Sequence, residues 1–478
     1  MPAAVGIVAL KAPGGRPVRR LFDRLLLPIA YWQARARYGR FIGAAGSATR
    51  VQQRVLLEKI RLNADSDFGR EHRFDRIGSY RQFTANVPIC RYEHIEPYIE
   101  RLKRGQTRAL LGGGQKLLMF ALTSGTTARP KFIPVTEQFL DEYRRGWTVF
   151  GFKMFSDHPE AMLRPIVQVT SPMDEFRTEG GIACGAITGL MAATQRRLVR
   201  RYYATPLCVA QIKQPLAKYY TVMRLAVPQD VALMVTANPA THLRLARLAD
   251  EHRELLIRDI YDGTLSRQMP VPAAVRQQLA GRLRARPDVA RRLERIVQDH
   301  GSLLPKHYWR LSLLANWTGG TMGLYLRQFD RYFGPVPVRD IGLLASEARM
   351  SIPIADGTAA GILEVTSHFF EFIPADQIDS PRPTVLRCGD LQIGGEYFVL
   401  LTTSSGLYRY DIGDLVRVVD YLGQAPIIEF LSKGAHISSL SGEKLTEQQV
   451  VQAMQQVCGE LRIRVENFAL CPRWADTP

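Results

Sequence analysis

The chain has 478 residues, too many for one ordinary hydrophobic core, so we expect at least two packed units. Hydrophobic residues make up 46% and charged residues 23% of the sequence, the balance of a globular protein. The 63 Lys and Arg residues against 45 Asp and Glu residues give a net charge of +18, which should attract anions. No RNP-like, zinc-finger or helix-turn-helix pattern accompanies this charge, so a specific nucleic-acid partner is not expected.

The six cysteines are far apart and form no C-x-x-C pair, which argues against a structural zinc site and a disulfide framework and favours a cytoplasmic location. No apolar run reaches the roughly 18 residues that a transmembrane segment needs. The stretch from Leu21 to Trp32 is shorter and is interrupted by Asp23 and Arg24. With arginines around its apolar stripe, this segment either packs on its own domain, the more frequent arrangement, or lies on a membrane surface.

In chain order, helical periodicity predicts two helices between about 18 and 62 and another from about 93 to 104. The apolar run Leu117 to Phe120 then leads into Thr123-Ser124-Gly125-Thr126-Thr127, and Lys131 follows behind a proline. This pattern is typical of a strand that delivers a loop. Backbone N–H groups, hydroxyls and a lysine are what a polyphosphate needs as partners. A solvated turn is the other interpretation that these residue types allow.

The next segments alternate between helices and short apolar strands. A helix is expected from 137 to 150, beginning at Thr136, and another from Leu243 to Ile260. Buried strands are expected at 166–169 and 231–235. Short apolar strands separated by helices of this length predict an α/β architecture with a parallel sheet.

Two turns carry carboxylates. The segment Ala345-Ser346-Glu347-Ala348 places an acid after a small-residue turn, and such a group can hold Mg²⁺ together with water and phosphate oxygens. Farther on, Gly406-Leu407-Tyr408-Arg409-Tyr410-Asp411-Ile412-Gly413-Asp414 ends in a tight turn with an acceptor that can take both hydroxyls of a ribose. Turns of both kinds are common, so these residues alone allow ordinary turns or ligand sites.

Taken together, these segments resemble a known family. The hydroxyl-rich loop, the Glu347 turn and the motif that ends at Asp414 resemble, in this order, three motifs of adenylate-forming ligases. The Lys131-Phe132-Ile133-Pro134 ending is similar to the variant of the Gretchen Hagen acyl-acid amido synthetases, the auxin-responsive family. The segments Val87 to Ile99 and Phe369 to Pro374 also resemble that family. The resemblance covers the chain from about residue 60 to its end.

The resemblance implies an α/β fold with two parts. Residues 1–432 would form a large N-terminal adenylate-forming domain, with mixed and parallel sheets flanked by helices and a β-rich subdomain. Residues 433–478 would form a small α/β C-terminal cap, for which the sequence predicts a strand around 461–466. The family's cap is considerably longer, so the chain is expected to be either a fragment or a form with a shortened cap.

The resemblance also implies a site for ATP and Mg²⁺. The implied nucleotide-binding residues are Thr123, Ser124, Gly125, Thr126, Thr127, Lys131, Ser346, Tyr410 and Asp414. Among them, Asp414 would bind the ribose. Glu347 would hold Mg²⁺ and act in catalysis, together with Lys444 at the α-phosphate. Lys433 falls where the family more often has arginine in its hinge.

Several aromatic and histidine side chains have two interpretations. Trp317, with Gly320, is a candidate for contacting the acid, although a tryptophan is more often part of a core. Phe369 and Phe370 are expected to pack in a strand, and one of them could instead cover the adenine. Residue type alone would allow a general base at His307, His368 or His436, and we assign none.

The activity that the resemblance implies is that of an ATP-dependent acid–amino acid ligase. A small carboxylic acid would be adenylated, with release of pyrophosphate, and its acyl group would pass to an amine, an amino acid. Two alternatives remain at this point. The acyl group could be transferred to coenzyme A, or the protein could bind an acid and a nucleotide without catalysis.

Overall fold

The computed structural model describes residues 17–123, 130–434, 437–438, 445–461, 463 and 465. Its helices are α1 (Pro17–Ala45), α2 (Ala48–Leu62), α3 (Asp67–Glu71), α4 (Tyr80–Asn86), α5 (Tyr92–Lys103), α6 (Glu137–Asp157), α7 (Ile187–Ala193), α8 (Arg197–Arg200), α9 (Pro215–Ala226), α10 (Pro239–Glu251), α11 (Arg253–Asp262), α12 (Ala273–Leu279), α13 (Pro287–His300), α14 (Pro305–Tyr308), α15 (Gly323–Leu326), α16 (Phe329–Phe333) and α17 (Glu447–Glu460). Its strands are β1 (Leu117–Thr123), β2 (Lys131–Thr136), β3 (Ile166–Gln168), β4 (Phe176–Arg177), β5 (Ala183–Gly185), β6 (Leu233–Val235), β7 (Leu313–Ala315), β8 (Val338–Arg339), β9 (Ser351–Ile352), β10 (Gly361–Leu363), β11 (Phe369–Pro374), β12 (Leu386–Arg387), β13 (Glu396–Thr402), β14 (Tyr410–Leu422), β15 (Ala425–Lys433), β16 (Ile437–Ser438) and β17 (Leu445–Thr446).

The strands form three larger sheets and one short pair. One sheet is mixed, in the order β2-β1-β5-β4, with β1 parallel to β5. A second is wholly parallel, in the order β3-β6-β7-β8. A third has seven antiparallel strands in the order β12-β11-β13-β14-β15-β10-β9, and β16 pairs with β17. The predicted fold class, with mixed and parallel sheets and a β-rich part, is confirmed.

The parallel sheet separates two large hydrophobic cores. Alternate side chains of a strand point to opposite faces, so a strand buried on both sides contributes to both cores. Leu233 of β6 and Leu313 of β7 belong to the core that also contains the helices α2, α5 and α6. Their neighbours Met234 and Leu314 belong to the core formed by α9 to α13. At least two packed units were expected from chain length, and this sheet lies between the two large cores.

Most of the helix predictions are confirmed, whereas one predicted helix and one predicted strand are wrong. Thr136 caps α6, since its Oγ1 accepts a hydrogen bond of 3.2 Å from Phe139 N. The single helix expected from Leu243 to Ile260 is two helices, because the chain turns at His252, whose φ of −109° and ψ of 25° are not helical. No strand forms at the described positions within 461–466. The domain boundary after residue 432 stays a prediction.

Two further expectations concern cysteines and membrane spans. The five cysteines that the structure describes are all free. Among the described helices, including the 29-residue α1, none has the length and apolar character needed to cross a bilayer.

Candidate active site

A cavity of about 1030 Å³ lies where the mixed sheet, the carboxyl end of the parallel sheet and the seven-stranded sheet meet. Ligands of open α/β sheets commonly bind beyond the carboxyl ends of the parallel strands, where β7 and β8 end here. Trp317 follows β7, and Asp340 follows β8 directly. Both residues line the cavity.

Thr123 and Lys131 come to the cavity because they end and begin neighbouring strands. They are register partners in the antiparallel pair β1–β2, so the end of β1 and the start of β2 meet at one point. Tyr92, from α5, fixes this point, since its hydroxyl accepts a hydrogen bond of 2.9 Å from Phe132 N and its ring lies 5.6 Å from Lys131 Nζ. The geometry therefore places one hydroxyl and one ammonium group at the base of the loop.

Glu347 occupies a two-residue turn. Ala345 N donates a hydrogen bond of 2.8 Å to Ala348 O, and Leu344 bridges to Arg349, so Ser346 and Glu347 form the tip. Both residues line the cavity, and Glu347 is only 6% exposed. The turn thus inserts a nearly buried carboxylate into the cavity wall.

Asp414 lies in the long strand β14, and its partner is a lysine. Lys433, at the end of β15, is its register partner and donates from Nζ to Asp414 Oδ1 at 2.7 Å and to Ile412 O at 3.0 Å. Gly413, just before Asp414, has a φ of +74°, a conformation that favours glycine. Asp411 Oδ1 accepts a hydrogen bond of 2.9 Å from Gly413 N. The tight turn expected at Gly413-Asp414 is wrong, because both residues lie within β14, where the register with β13 shifts.

A buried ion pair anchors the start of the same strand. Arg409 Nε donates to both carboxylate oxygens of Glu371, at 3.1 and 3.2 Å, and its Nη1 donates to Val87 O at 3.0 Å. Tyr80 adds a hydrogen bond of 2.8 Å to Glu371. Arg409 has a positive φ of 43°, which costs free energy in a residue with a side chain, so these contacts hold the backbone in a strained conformation.

Arg91 reaches the cavity because the residue before it, Cys90, pairs with strand β14. Cys90 pairs in parallel with Tyr410, through Cys90 N to Arg409 O at 3.0 Å and Asp411 N to Cys90 O at 2.8 Å. This pairing brings Arg91 beside Asp411, with 3.1 Å between Arg91 Nε and Asp411 Oδ2. Arg91 and Asp411 both line the cavity.

Asp340 holds one wall of the cavity together. Its Oδ2 accepts hydrogen bonds from Thr318 N at 2.6 Å and Thr318 Oγ1 at 2.8 Å, and its Oδ1 accepts one from Gly342 N at 2.6 Å. Trp317 Nε1 donates to Gly342 O at 3.0 Å across the same two segments. Asp340 therefore positions the indole of Trp317 in the wall.

Burial dominates the electrostatics of the carboxylates. It raises the pKa of Glu347, and the positive charges of Lys433 and Lys131 oppose this change, whereas the charge of Asp414 adds to it. Burial likewise raises the pKa of Asp414, with Lys433 opposing it. The pKa of Lys433 is raised by Asp414 and Glu347 against its own desolvation. Nearby positive charge therefore favours ionisation of both carboxylates.

The structure brings together five of the predicted site residues. Those lining the cavity are Thr123, Lys131, Ser346, Glu347 and Asp414. Tyr410 is not in the lining and is only 1% exposed. Those outside the described residues are Ser124, Gly125, Thr126, Thr127 and Lys444. The individual roles of all these residues stay predictions.

The aromatic, glycine and histidine candidates also divide into residues that line the cavity, residues that do not, and one outside the described residues. Trp317 lines the cavity, and of the described candidates, Gly320, Phe369, Phe370, His307 and His368 do not. His436 lies outside the described residues. Both phenylalanines pack in β11 as expected for a strand, with exposures of 2% and 0%.

Sequence reasoning missed the cavity-lining residues Arg91, Asp340 and Asp411 and the partnership of Lys433 with Asp414. The position of Asp340 directly after a parallel strand was an available signal. Asp411 lay within the motif that ends at Asp414. The pairing of Arg91 with Asp411 joins residues 320 positions apart and has no local signature.

Comparison with models of known protein families identifies the family of this chain. The GH3 family N-terminal domain matches residues 37–338, and the GH3 family central domain matches residues 361–433. The chain belongs to the GH3 family. The predicted family is confirmed, and the cavity lies among segments from both matched domains.

The GH3 relatives include plant enzymes named as amido synthetases. The chain is 24% identical to jasmonoyl–L-amino acid synthetase JAR4 of Nicotiana attenuata over 446 residues, 88% of this chain and 76% of the relative. It is 24% identical to indole-3-acetic acid-amido synthetase GH3.8 of Oryza sativa subsp. indica over 441 residues, 86% of this chain and 71% of the relative. Amido synthetases are ligases that form carbon–nitrogen bonds.

A solved structure shares the fold. The structure of AtGH3.15 acyl acid amido synthetase in complex with 2,4-DB superposes with a TM-score of 0.80 at 20% identity, covering 90% of this chain and 75% of that one. This likeness confirms the architecture of the described residues.

Proposed function

We propose that this chain is an ATP-dependent ligase that adenylates a small carboxylic acid and transfers the acyl group to an amine, with an amino acid as the acceptor. The observation that carries the proposal is the convergence on one cavity of Thr123 and Lys131, Glu347, and Asp414. These residues lie in three segments far apart in the chain. Membership of the GH3 family and the names of its relatives support the same activity.

The arrangement suits a nucleotide. Asp414 would accept hydrogen bonds from the ribose hydroxyls, since an ionised carboxylate is an acceptor only. Thr123 and Lys131, at the base of the β1–β2 loop, would contact the phosphates. Asp414 and Lys131 line the same cavity, so a nucleotide bound there would run from its ribose at Asp414 to its phosphates at Lys131.

A divalent cation bound with the nucleotide would offset the charges of the cavity. Among its described lining residues, six carboxylates stand against three cationic side chains: Glu93, Asp340, Glu347, Asp379, Asp411 and Asp414 against Arg91, Lys131 and Lys433. Such a lining repels a bare polyphosphate. Mg²⁺ is commonly bound by one or two carboxylates plus substrate phosphates, and Glu347 supplies a carboxylate of this kind. When bound, Mg²⁺ would neutralise charge on the phosphate oxygens.

The first half-reaction is a displacement at phosphorus. A carboxylate oxygen of the acid attacks the α-phosphorus of ATP, the bond to the pyrophosphate oxygen breaks, and acyl-AMP and pyrophosphate form. The protein contributes mainly position and charge, which are the principal terms in phosphoryl-type chemistry. Lys131 would stabilise the negative charge on the departing pyrophosphate, and Asp414 would hold the nucleotide in line.

The second half-reaction takes place at the acyl carbon. The amine nitrogen attacks this carbon, the bond to the AMP oxygen breaks to release AMP, and the proton lost from the nitrogen passes to solvent, leaving the amide. Trp317, in the cavity wall, would pack against the acyl group. The aromatic ring provides a large apolar surface, and its hydrogen bond to Gly342 O keeps it in place.

The test is an acid-dependent ATP/pyrophosphate exchange screen with Mg²⁺, followed by mass spectrometry with amino acids and, separately, with coenzyme A. Exchange with at least one acid, and an amide product with an amino acid, is the expected result. Formation of a thioester with coenzyme A instead would overturn the choice of acceptor. ATP binding without exchange for any acid would show a non-catalytic nucleotide-binding protein and overturn the proposal.

A further inference from the structure

The first helix has an exposed apolar surface that the active site does not explain. Trp32 is 69% exposed, the highest value among the large hydrophobic side chains that the structure describes, and Ile29 is 55% exposed. The two residues are three positions apart in α1 and therefore lie on one face of the helix. Burial of such side chains is favourable, so this face is suited to contact with another surface.

This face is not the one that packs on the protein. Tyr31 and Tyr38, seven positions apart, contact Phe152 of α6, with ring centroids 5.1 and 5.3 Å away. Phe41 continues the packed side and is 2% exposed. One position along a helix corresponds to a rotation of about 100°. Trp32 therefore projects away from the side that α6 covers.

The spacing of Ile29 and Trp32 continues toward the start of the helix in the sequence. Val18, Phe22, Leu25, Ile29 and Trp32 follow one another at spacings of four, three, four and three. This regular spacing marks a continuous apolar stripe on a helix. Ile29 and Trp32, the exposed pair, belong to this stripe of the sequence.

The charge of the helix is strongly positive. It contains six arginines, at positions 19, 20, 24, 35, 37 and 40, and one acidic residue, Asp23. Arg35 and Arg40 are exposed in the same part of the helix as Trp32. A basic helix with an apolar stripe that contains Trp is the pattern of a segment that lies in the plane of an anionic membrane surface.

The alternatives fit this surface less well. Two copies of α1 packed through their stripes would bring two sets of arginines together, and like charges oppose association. A nucleic acid would match the charge through its phosphates, but its backbone offers no apolar partner for Ile29 and Trp32. A bilayer with anionic lipids matches both features.

We propose that α1 docks this protein on an anionic bilayer surface, with Ile29 and Trp32 inserted at the headgroup level and Arg35 and Arg40 paired with lipid phosphates. The helix lies parallel to the membrane and does not cross it. The proposal does not depend on the function proposed for the cavity, because none of these residues lines it.

The test is co-sedimentation of the full chain with vesicles of phosphatidylcholine and phosphatidylglycerol, 70:30, and with vesicles of phosphatidylcholine alone. The chain should bind the anionic vesicles and lose binding as salt rises, because salt screens the arginines. The double variant Ile29→Ser/Trp32→Ser and the double variant Arg35→Glu/Arg40→Glu should each bind at least about tenfold more weakly.

Matched controls separate vesicle binding by this surface from nonspecific hydrophobic adsorption and from binding through the net charge of the chain. Ile393→Ser removes another exposed apolar side chain, at 64% exposure, and Arg291→Glu/Arg292→Glu reverses two exposed arginines of α13. Both control variants should bind the vesicles as the unaltered chain does. Circular dichroism melts of all variants should coincide, since every substituted side chain is exposed.

Several results would overturn the proposal. These are failure of the unaltered chain to bind anionic vesicles, equal losses in the control variants, or unchanged binding by both α1 variants. Conversion of a dimer to a monomer by Ile29→Ser/Trp32→Ser in vesicle-free buffer would assign the surface to self-association. Loss of duplex DNA binding by the α1 variants, with their vesicle binding retained, would assign the surface to nucleic acid. Exchange activity without vesicles should be the same in the α1 variants, so failure here leaves the ligase proposal intact.

Discussion

Lys433 Nζ donates a hydrogen bond of 2.7 Å to Asp414 Oδ1, and the two residues are register partners across the strands β14 and β15. The side chain of Asp414 is 5% exposed, whereas that of Lys433 is 41% exposed. The lysine therefore supplies the charge that a nearly buried carboxylate needs in order to stay ionised. Because Asp414 is the residue proposed to bind ribose, this contact ties the strength of nucleotide binding to Lys433.

Replacing Lys433 by methionine should make ATP binding more sensitive to low pH. Burial raises the pKa of Asp414, and Lys433 holds that pKa down, so its removal raises the pKa further. Ribose binding requires ionised Asp414 and is lost as the pH falls through this pKa. In Lys433→Met, the acid limb of the pH profile of KM for ATP should therefore move to higher pH.

The matched control for this prediction is Lys433→Arg, which keeps the positive charge. Its acid limb should stay close to that of the unaltered chain. An unchanged profile in Lys433→Met would show that Asp414 does not control nucleotide binding through its ionisation.

Replacing Glu347 by glutamine should abolish adenylate formation without unfolding the protein. The amide has nearly the same shape as the carboxylate but cannot supply the negative charge proposed to hold Mg²⁺. We expect a loss of about 100-fold or more in ATP/pyrophosphate exchange, the scale seen when a preorganised electrostatic partner is removed. Asp376→Asn, which removes an exposed carboxylate outside the cavity lining, should exchange normally. Normal exchange in Glu347→Gln would refute the assigned role.

Breaking the Arg409–Glu371 pair should destabilise the fold strongly. The side chains of Arg409 and Glu371 are 7% and 1% exposed, so Arg409→Met leaves a buried carboxylate without its cation. The expected cost in the free energy of unfolding, measured with urea, is about 3–5 kcal/mol. The double variant Arg409→Met/Glu371→Met should cost less than the single variant.

The control for this measurement is Arg417→Met. Arg417 pairs with Glu396 and Glu429, but its side chain and that of Glu396 are both 39% exposed. Exposed pairs contribute only about 0–1 kcal/mol. Equal losses in Arg417→Met and Arg409→Met would contradict the importance given to burial.

Truncating Trp317 should weaken binding of the acid more than binding of ATP. The indole lies in the cavity wall and is fixed by its hydrogen bond to Gly342 O. Trp317→Ala should raise KM for the acid by about tenfold, because an aromatic contact surface is lost, and leave KM for ATP nearly unchanged. Trp317→Phe, which keeps a ring, should have a smaller effect. A rise in KM for ATP alone would place Trp317 on the nucleotide side.

Local signals in the sequence predicted many elements of the fold. Thr136 marked the start of α6, and short apolar runs marked β3 and β6. The break at His252 could not be seen, because α10 and α11 bury the same side against one core and the apolar period continues across the break. Periodicity reports which side of a helix is buried and is insensitive to a one-residue turn.

For the site, the sequence predicted residues more reliably than their partners. Glu347 and Asp414 were found from motifs, and both reach the cavity. The same motif suggested Tyr410, which pairs with Cys90 and Leu401 and is buried instead. A motif gives residue types in order, whereas the strand register decides which side chains reach a cavity. Contacts such as Asp340 with Thr318 depend on that tertiary arrangement.

The most direct test of the proposed site is a crystal structure of the chain with Mg²⁺ and a non-hydrolysable ATP analogue. We expect the ribose hydroxyls on Asp414, the phosphates beside Lys131, and Mg²⁺ between the phosphates and Glu347. A nucleotide bound elsewhere, or bound in this cavity with its ribose away from Asp414 and its metal away from Glu347, would contradict the proposed site.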